Sequence, residues 1–179
     1  MQIWTIGHST RSIEEFLAAL AANAIQALVD VRRFPASRRN PQFERNAIEK
    51  SLRAAGIEYV WMGELLGGRR STSKASRNVA LRSKAFRGYA DYMLTPEFRQ
   101  GIDALRALAA KRRVAIMCAE LLWWNCHRSM ISDFLVGVFG DELIHIRDAS
   151  HSEGHALKDA AKVHDQVLIY DRNATKELF

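Results

Sequence analysis

Cysteine is scarce in this sequence: 179 residues contain two, Cys118 and Cys126, so no disulfide framework holds the fold. No stretch approaches the roughly 18 consecutive apolar residues that a membrane-spanning helix needs. The start, Met1-Gln-Ile-Trp-Thr-Ile-Gly-His8, has neither a basic leader nor a long apolar segment. These absences lead to the expectation of a cytoplasmic protein with free thiols and no membrane partner. There is no internal repeat and no helix-turn-helix or other base-reading module, so sequence-specific recognition of nucleic acid is not expected. Neither Cys118, Cys126 and His127 nor the pair His151 and His155, placed on one helical face exposed to solvent, has a recognised zinc spacing. No metal and no cofactor is expected. Nine residues separate Cys118 from Arg128 and one separates Cys126 from it, which excludes the Cys-x5-Arg loop of phosphatases and rhodaneses.

What is present is an ordinary globular composition, 48% hydrophobic, long enough for one well-buried core; residues 1–179 are expected to form a single domain. The net charge of +6 is unevenly placed. From Asp30 to Ala90 there are 14 Lys/Arg against 5 Asp/Glu, while the rest of the chain has 12 against 15. Nineteen of the 26 basic residues are Arg, whose planar fork suits bidentate contact with phosphates and carboxylates. The basic middle points to an anionic partner, with a nucleotide or nucleic acid first among them. Phe34, Phe43, Tyr59 and Trp61 lie close to these arginines and would accompany stacking on bases.

Short apolar runs alternate with helical patterns. Ile3–Ile6, Ala27–Val31, Ile57–Met62, Arg113–Cys118 and Leu143–Ile146 read as strands, with Val167–Tyr170 as a candidate sixth. Ser12-Ile-Glu-Glu15 is a capping box before one helix, Phe43 to Ala55 reads as a second, closed by Gly56, and Ala85 to Leu94 as a third. Thr95-Pro96 starts a fourth and Ser129 to Phe139 forms a fifth. Gly63 to Ser83 has little periodicity and reads as a mobile or ligand-ordered loop. This order predicts an α/β fold: a mostly parallel sheet of about five to six strands with helices on both faces.

In such a sheet every parallel strand brings its carboxyl end to one edge, where ligands bind. That edge would collect His8, Ser9, Thr10, Asp30, Arg32, Glu64, Cys118, Glu120, His145 and Arg147. Asp30, Glu120 and His8 are the candidate acid/base groups, ranked ahead of Cys118 as a nucleophile. Ser9, Thr10, Arg32, Arg38, Arg39, Cys126, His127 and Arg128 are candidate substrate contacts, Arg128 because the free amides of a helix start favour an anion. Cys118 and Cys126 need not point at each other.

The same residues carry a resemblance. Thr5-Ile-Gly-His-Ser-Thr10, Leu28-Val-Asp-Val-Arg-Arg-Phe-Pro35 with Ser37-Arg-Arg-Asn-Pro-Gln-Phe43, Gly56-Ile-Glu-Tyr59, Leu66-Gly-Gly-Arg-Arg70, Phe86-Arg-Gly-Tyr-Ala-Asp-Tyr-Met93 and Cys118-Ala-Glu120 with Cys126-His-Arg128 resemble the family catalogued as domain of unknown function 488. The resemblance runs from about Ile3 to Ile146 and implies the fold rather than the activity. Between the thiols that family usually carries a polar turn with Asp and Pro; here Leu121-Leu-Trp-Trp124 stands instead. The leading expectation is an enzyme, a hydrolase or a transferase, that binds an anionic substrate at the strand-end cleft through arginines and acts by acid/base chemistry. The alternatives are a non-catalytic anion or nucleic-acid binding module, and a thiol redox or metal-sensing protein, which would require the two cysteines to meet.

Overall fold

The computed structural model of the chain describes residues 1–171. Eight strands form, β1 (Gln2–Gly7), β2 (Ala27–Asp30), β3 (Glu58–Trp61), β4 (Val114–Cys118), β5 (Glu142–Ile146), β6 (Ser152–Gly154), β7 (Ala161–His164) and β8 (Val167–Tyr170). The main sheet has the order β3-β2-β4-β1-β5-β6. The pairs among β1 to β5 are parallel, and only β6 runs antiparallel, against β5. Val167–Tyr170 is a strand, but it pairs with β7 in a separate two-stranded sheet. The sixth place in the main sheet goes to Ser152–Gly154, which is too short and polar to show an alternating pattern.

The helices are α1 (Ile13–Ala22), α2 (Arg45–Ala54), α3 (Gly63–Leu66), α4 (Lys84–Tyr92), α5 (Pro96–Ala109) and α6 (Arg128–Phe139). Their boundaries follow from local chemistry. Ser12 and Glu15 close the capping box of α1, Thr95 caps α5 with Pro96 in its first turn, and Gly56, at φ +74°, takes the left-handed turn that ends α2. The loop from Gly63 to Ser83 contains one unforeseen turn of helix, α3.

Successive residues of the inner strands pack on opposite faces of the sheet. Ile3, Val29, Val114, Ile116 and Cys118 join residues of α4, α5 and α6 in one core, whereas Trp4, Ile6, Leu28, Ala115 and Met117 meet Phe16, Leu20, Ile48 and Leu52 of α1 and α2 in the other. Cys118 therefore points toward α6. Hydrogen bonds continue past the strand ends, from the His8 amide to the Cys118 carbonyl, from Ser9 to Ala119 and from Val31 to Met117, each at 3.0 Å. The carboxyl ends of β1, β2 and β4 are thus fastened side by side. Among the described residues no helix is long and apolar enough to cross a membrane.

Candidate functional site

A cavity of about 770 Å³ opens at those three strand ends. His8, Ser9 and Thr10 reach it from β1, Arg32 to Asn40 (Pro35 excepted) from the loop after β2, and Cys118, Ala119 and Glu120 from β4. Asn125, Cys126 and His127 close it from the approach to α6, and Gly68, Arg69, Phe86 and Tyr89 from the far side. His8, Ser9, Thr10, Arg32, Arg38, Arg39, Cys118, Glu120, Cys126 and His127 are thus gathered around one space. Asp30 and Arg128 are not on its lining; both are buried behind the wall. His145 and Arg147 belong to a neighbouring pocket of about 270 Å³ with Trp123 and Trp124, and Glu64 lines neither.

The two thiols meet at the cavity base, Sγ to Sγ 2.6 Å. The Arg128 Nε donates to Cys118 Sγ at 3.0 Å, and the Arg128 amide, at the start of α6, approaches Cys126 Sγ at 3.5 Å. The rest of the guanidinium is held by the carbonyls of Glu120 and Leu121 and by the Thr5 hydroxyl. Gly7 makes this possible: a Cβ there would lie 1.9 Å from the Glu120 carbonyl oxygen and 2.9 Å from Arg128 Nη2. Burial opposes ionisation of Cys126, but the hydrogen bond with Cys118 and the charge and amide of Arg128 outweigh it and bring the thiol down to about 7. Burial pushes the Cys118 thiol up, and the Cys126 sulfur adds to the effect. The shared hydrogen bond and the buried guanidinium thus favour one negative charge on the pair over two.

His127 completes the arrangement. Its Nε2 lies 3.1 Å from the Val31 carbonyl, which accepts only, so the ring proton sits on Nε2 and the Nδ1 lone pair faces Cys126 Sγ at 3.4 Å. Burial lowers the pKa of this imidazole and keeps it neutral.

Asp30 has a different task from the acid/base role expected of it. Its carboxylate accepts the Arg32 amide and, in a bidentate pair, the Arg32 Nε and Nη2, the shortest contact being 2.6 Å. The Tyr59 hydroxyl donates to it at 2.8 Å; burial and then the Asp30 charge push that hydroxyl up, so it stays a donor. With its oxygens engaged and no exposed surface, Asp30 braces Arg32. Arg32 Nη1 in turn reaches the Phe43 carbonyl and His8 Nε2. His8 stacks on Phe43 with centroids 4.3 Å apart, and burial together with the Arg32 charge lowers it to about 4. Of the three expected acid/base groups, only Glu120 stands exposed at the cavity.

The rim is cationic. Among the described residues Arg33, Arg38, Arg39 and Arg69 form no ion pair. Arg33 and Arg69 flank the ring of Phe34, at 5.9 and 5.8 Å, and that ring is 62% exposed. Ser9 and Arg69 both line the cavity with positive φ, 49° and 60°, a conformation that costs a non-glycine residue about 1 kcal/mol and gathers at functional sites. Of the four aromatics expected to accompany base stacking, Phe34 is exposed, Tyr59 and Trp61 are half-buried and Phe43 is buried; Arg33 and Arg69 were not among the expected contacts, and the signal for Arg69 was the Gly67-Gly68 pair before it in a basic loop.

The altered turn between the thiols is partly buried. Trp123 stacks on His145, centroids 4.1 Å apart and planes at 6°, and donates to Glu153, while Trp124 remains 40% exposed beside Arg147. His151 and His155 are not on a helix: they flank β6, His151 exposed beside Asp148 and the His155 side chain fully buried. Among the described residues no group of three or more His, Cys, Asp or Glu is placed to hold a metal ion.

Over residues 12–135 the sequence matches the family described as "Domain of unknown function DUF488". No curated protein and no solved structure matches it.

Proposed function

The chain belongs to the DUF488 family, a domain of unknown function, and from that premise we propose, on this chain's own geometry, an enzyme that binds an anionic substrate in the strand-end cleft and acts on it through Cys126. The substrate is a nucleotide or a segment of nucleic acid. The observation that carries this reading is the contact of two thiols, backed by a buried guanidinium, at the base of a cavity whose rim arginines Arg33, Arg38, Arg39 and Arg69 form no ion pair among the described residues. Arg33, Arg38, Arg39 and Arg69 bind phosphates, and the exposed ring of Phe34, with two guanidinium groups near it, offers a face for a base. Cys126, its proton already lost to solvent, attacks an electrophilic atom of the substrate as the thiolate; the bond to the leaving group breaks, and that group departs with the electron pair and takes a proton from water. Water or a second substrate releases the covalent adduct, which makes the enzyme a hydrolase or a transferase. Glu120, at the mouth, is the group to activate that acceptor. Working thiols of this kind need a reducing compartment, so the cytoplasm is the proposed location.

The approach of Cys118 to Cys126 favours one further reading, a thiol redox protein whose dithiol reduces a disulfide of a partner by thiol–disulfide exchange and is itself left as the Cys118–Cys126 disulfide. The two differ in what they ask of Cys118. A nucleophilic Cys126 keeps covalent chemistry in Cys118→Ser, whereas a dithiol cycle loses its turnover.

The test is binding of nucleotides and of single-stranded and duplex oligonucleotides at rising salt, with the rate of Cys126 alkylation measured alongside. Binding that weakens with salt and shields Cys126 is expected. Binding that leaves the alkylation rate unchanged separates the anion site from the thiols and overturns the reading.

A further inference from the structure

Behind the thiol pair a file of buried polar groups leads away from Arg128 through β1 and β5 and returns to Asp133, five residues farther along α6. Arg128 Nη1 lies 3.2 Å from Thr5 Oγ1, Thr5 Oγ1 lies 2.7 Å from His145 Nδ1, His145 Nε2 lies 2.9 Å from His155 Nδ1, and His155 Nε2 lies 2.9 Å from Asp133 Oδ1. Tyr170 and Lys158 hold the other carboxylate oxygen, at 2.7 and 2.9 Å. Thr5, Arg128, Asp133 and His145 have almost no exposed surface, and the His155 side chain has none.

The ends of the file fix its direction. A guanidinium donates and a carboxylate accepts. His155 must then carry its proton on Nε2 and receive at Nδ1; His145 must donate from Nε2 and receive at Nδ1; and the Thr5 hydroxyl must donate to His145 while accepting from Arg128. The opposite order would aim a second N–H at Thr5 Oγ1 and leave the threonine proton with no acceptor in the file, a costly loss in a buried site. Burial, then the positive charges nearby, lowers His145 to about 3, so it is neutral as this order requires. Trp123, stacked on His145 and itself bonded to Glu153, fixes the orientation of the His145 ring.

We infer that Thr5, His145 and His155 are positioning residues for the thiol pair: with Asp133 they form a one-way hydrogen-bonded file that holds the Arg128 guanidinium against Cys118 and Cys126. This rests on the reading of Cys126 as the reactive group. None of the three lines the substrate cavity. Each acts through the next, because a chain of aligned donors polarises its members and makes the Thr5 oxygen a better acceptor for Arg128. The other titratable or charged groups facing the thiols, His127 of the α6 approach, Tyr89 of α4 and, beyond His127, Arg70, are not members of the file.

The experiment is the pH profile of Cys126 alkylation by iodoacetamide, read by peptide mass spectrometry in the full chain. Thr5→Val, nearly isosteric, removes only the hydroxyl; His155→Leu removes both ring nitrogens; His155→Gln restores an acceptor and a donor. Thr5→Val and His155→Leu are expected to move the midpoint up by about one pH unit, slowing the reaction about tenfold at neutral pH, while His155→Gln stays within about twofold of the natural protein. If His155→Leu does not fold, Thr5→Val decides alone. An ordinary-thiol profile in the natural protein sinks both this inference and the proposed function. A low midpoint that folded Thr5→Val leaves in place sinks this inference alone. As a second readout, nitrogen NMR shifts should show both His145 and His155 protonated at Nε2.

Discussion

Arg128 donates through Nε to Cys118 Sγ, so a permanent positive charge sits buried directly behind two touching sulfurs. Its amide marks the start of α6, where the helix dipole also favours an anion. Arg128→Met removes the charge and leaves the carbonyls of Glu120 and Leu121 without their donor. The Cys126 midpoint is expected to climb from about 7 toward the ordinary thiol range, with neutral-pH alkylation more than tenfold slower. Thermal unfolding should also show a stability loss on the order of 3 kcal/mol, since hydrogen bonds to charged groups are the stronger kind.

Acid should destabilise the fold before the carboxylates titrate. His8 is lowered to about 4 and His145 to about 3, and His127 is lowered as well, in each case first by burial. The unfolded chain binds these protons near pH 6.5 and the native state does not, so stability is full above pH 6.5 and falls as pH drops from 6.5 toward 4. Each histidine contributes up to about 1.4 kcal/mol per pH unit in that window. Urea unfolding at pH 7.5 and pH 5 is the check, and His8→Gln should flatten part of the slope.

Gly7→Ala probes the close approach of β1 to the Glu120 segment. Its methyl would collide with the Glu120 carbonyl, which is backbone, and crowd the Arg128 guanidinium, which is buried and held by its hydrogen bonds. A loss of at least about 2 kcal/mol and a raised Cys126 midpoint are expected together, from denaturation and alkylation of the same sample.

The rim should set affinity for phosphates without disturbing the thiols. Arg38→Ala, Arg39→Ala and Arg69→Ala are each expected to weaken oligonucleotide binding and lower the salt slope by about 1 where a phosphate contact is lost. Phe34→Ala should cost about 1 to 3 kcal/mol of binding if a base stacks there. Isothermal titration at two salt concentrations measures both, and the Cys126 profile should remain that of the natural protein.

Much of this was legible in the residues. Apolar runs ending in polar groups located five strands, and parallel pairing then had to bring His8, Arg32, Cys118 and Glu120 to one edge. The hidden part depended on direction and partners. That Asp30 is consumed by Arg32 and Tyr59 follows from where the loop after β2 turns back, which no spacing reveals. The meeting of Cys118 and Cys126 depends on an alternation that points Cys118 toward α6 and on a turn whose Leu-Leu-Trp-Trp sequence gave no geometry. His155 looked like half of a helical surface pair because β6 is three residues long and nearly without apolar character. A buried file linking Thr5 to Asp133, 128 positions apart, has no sequence pattern at all.

The central claim, a thiolate at the base of a cationic cleft, is tested most directly by comparing Cys126 alkylation by iodoacetate and by iodoacetamide at pH 7 and low salt. The two reagents share a mechanism and differ in charge. The account expects the anionic reagent to gain at least about fivefold relative to the neutral one, measured against the same ratio in the urea-unfolded chain, and to lose that gain at high salt or in Arg38→Ala/Arg69→Ala. Equal ratios in the folded and unfolded chain, with no response to salt, would contradict it.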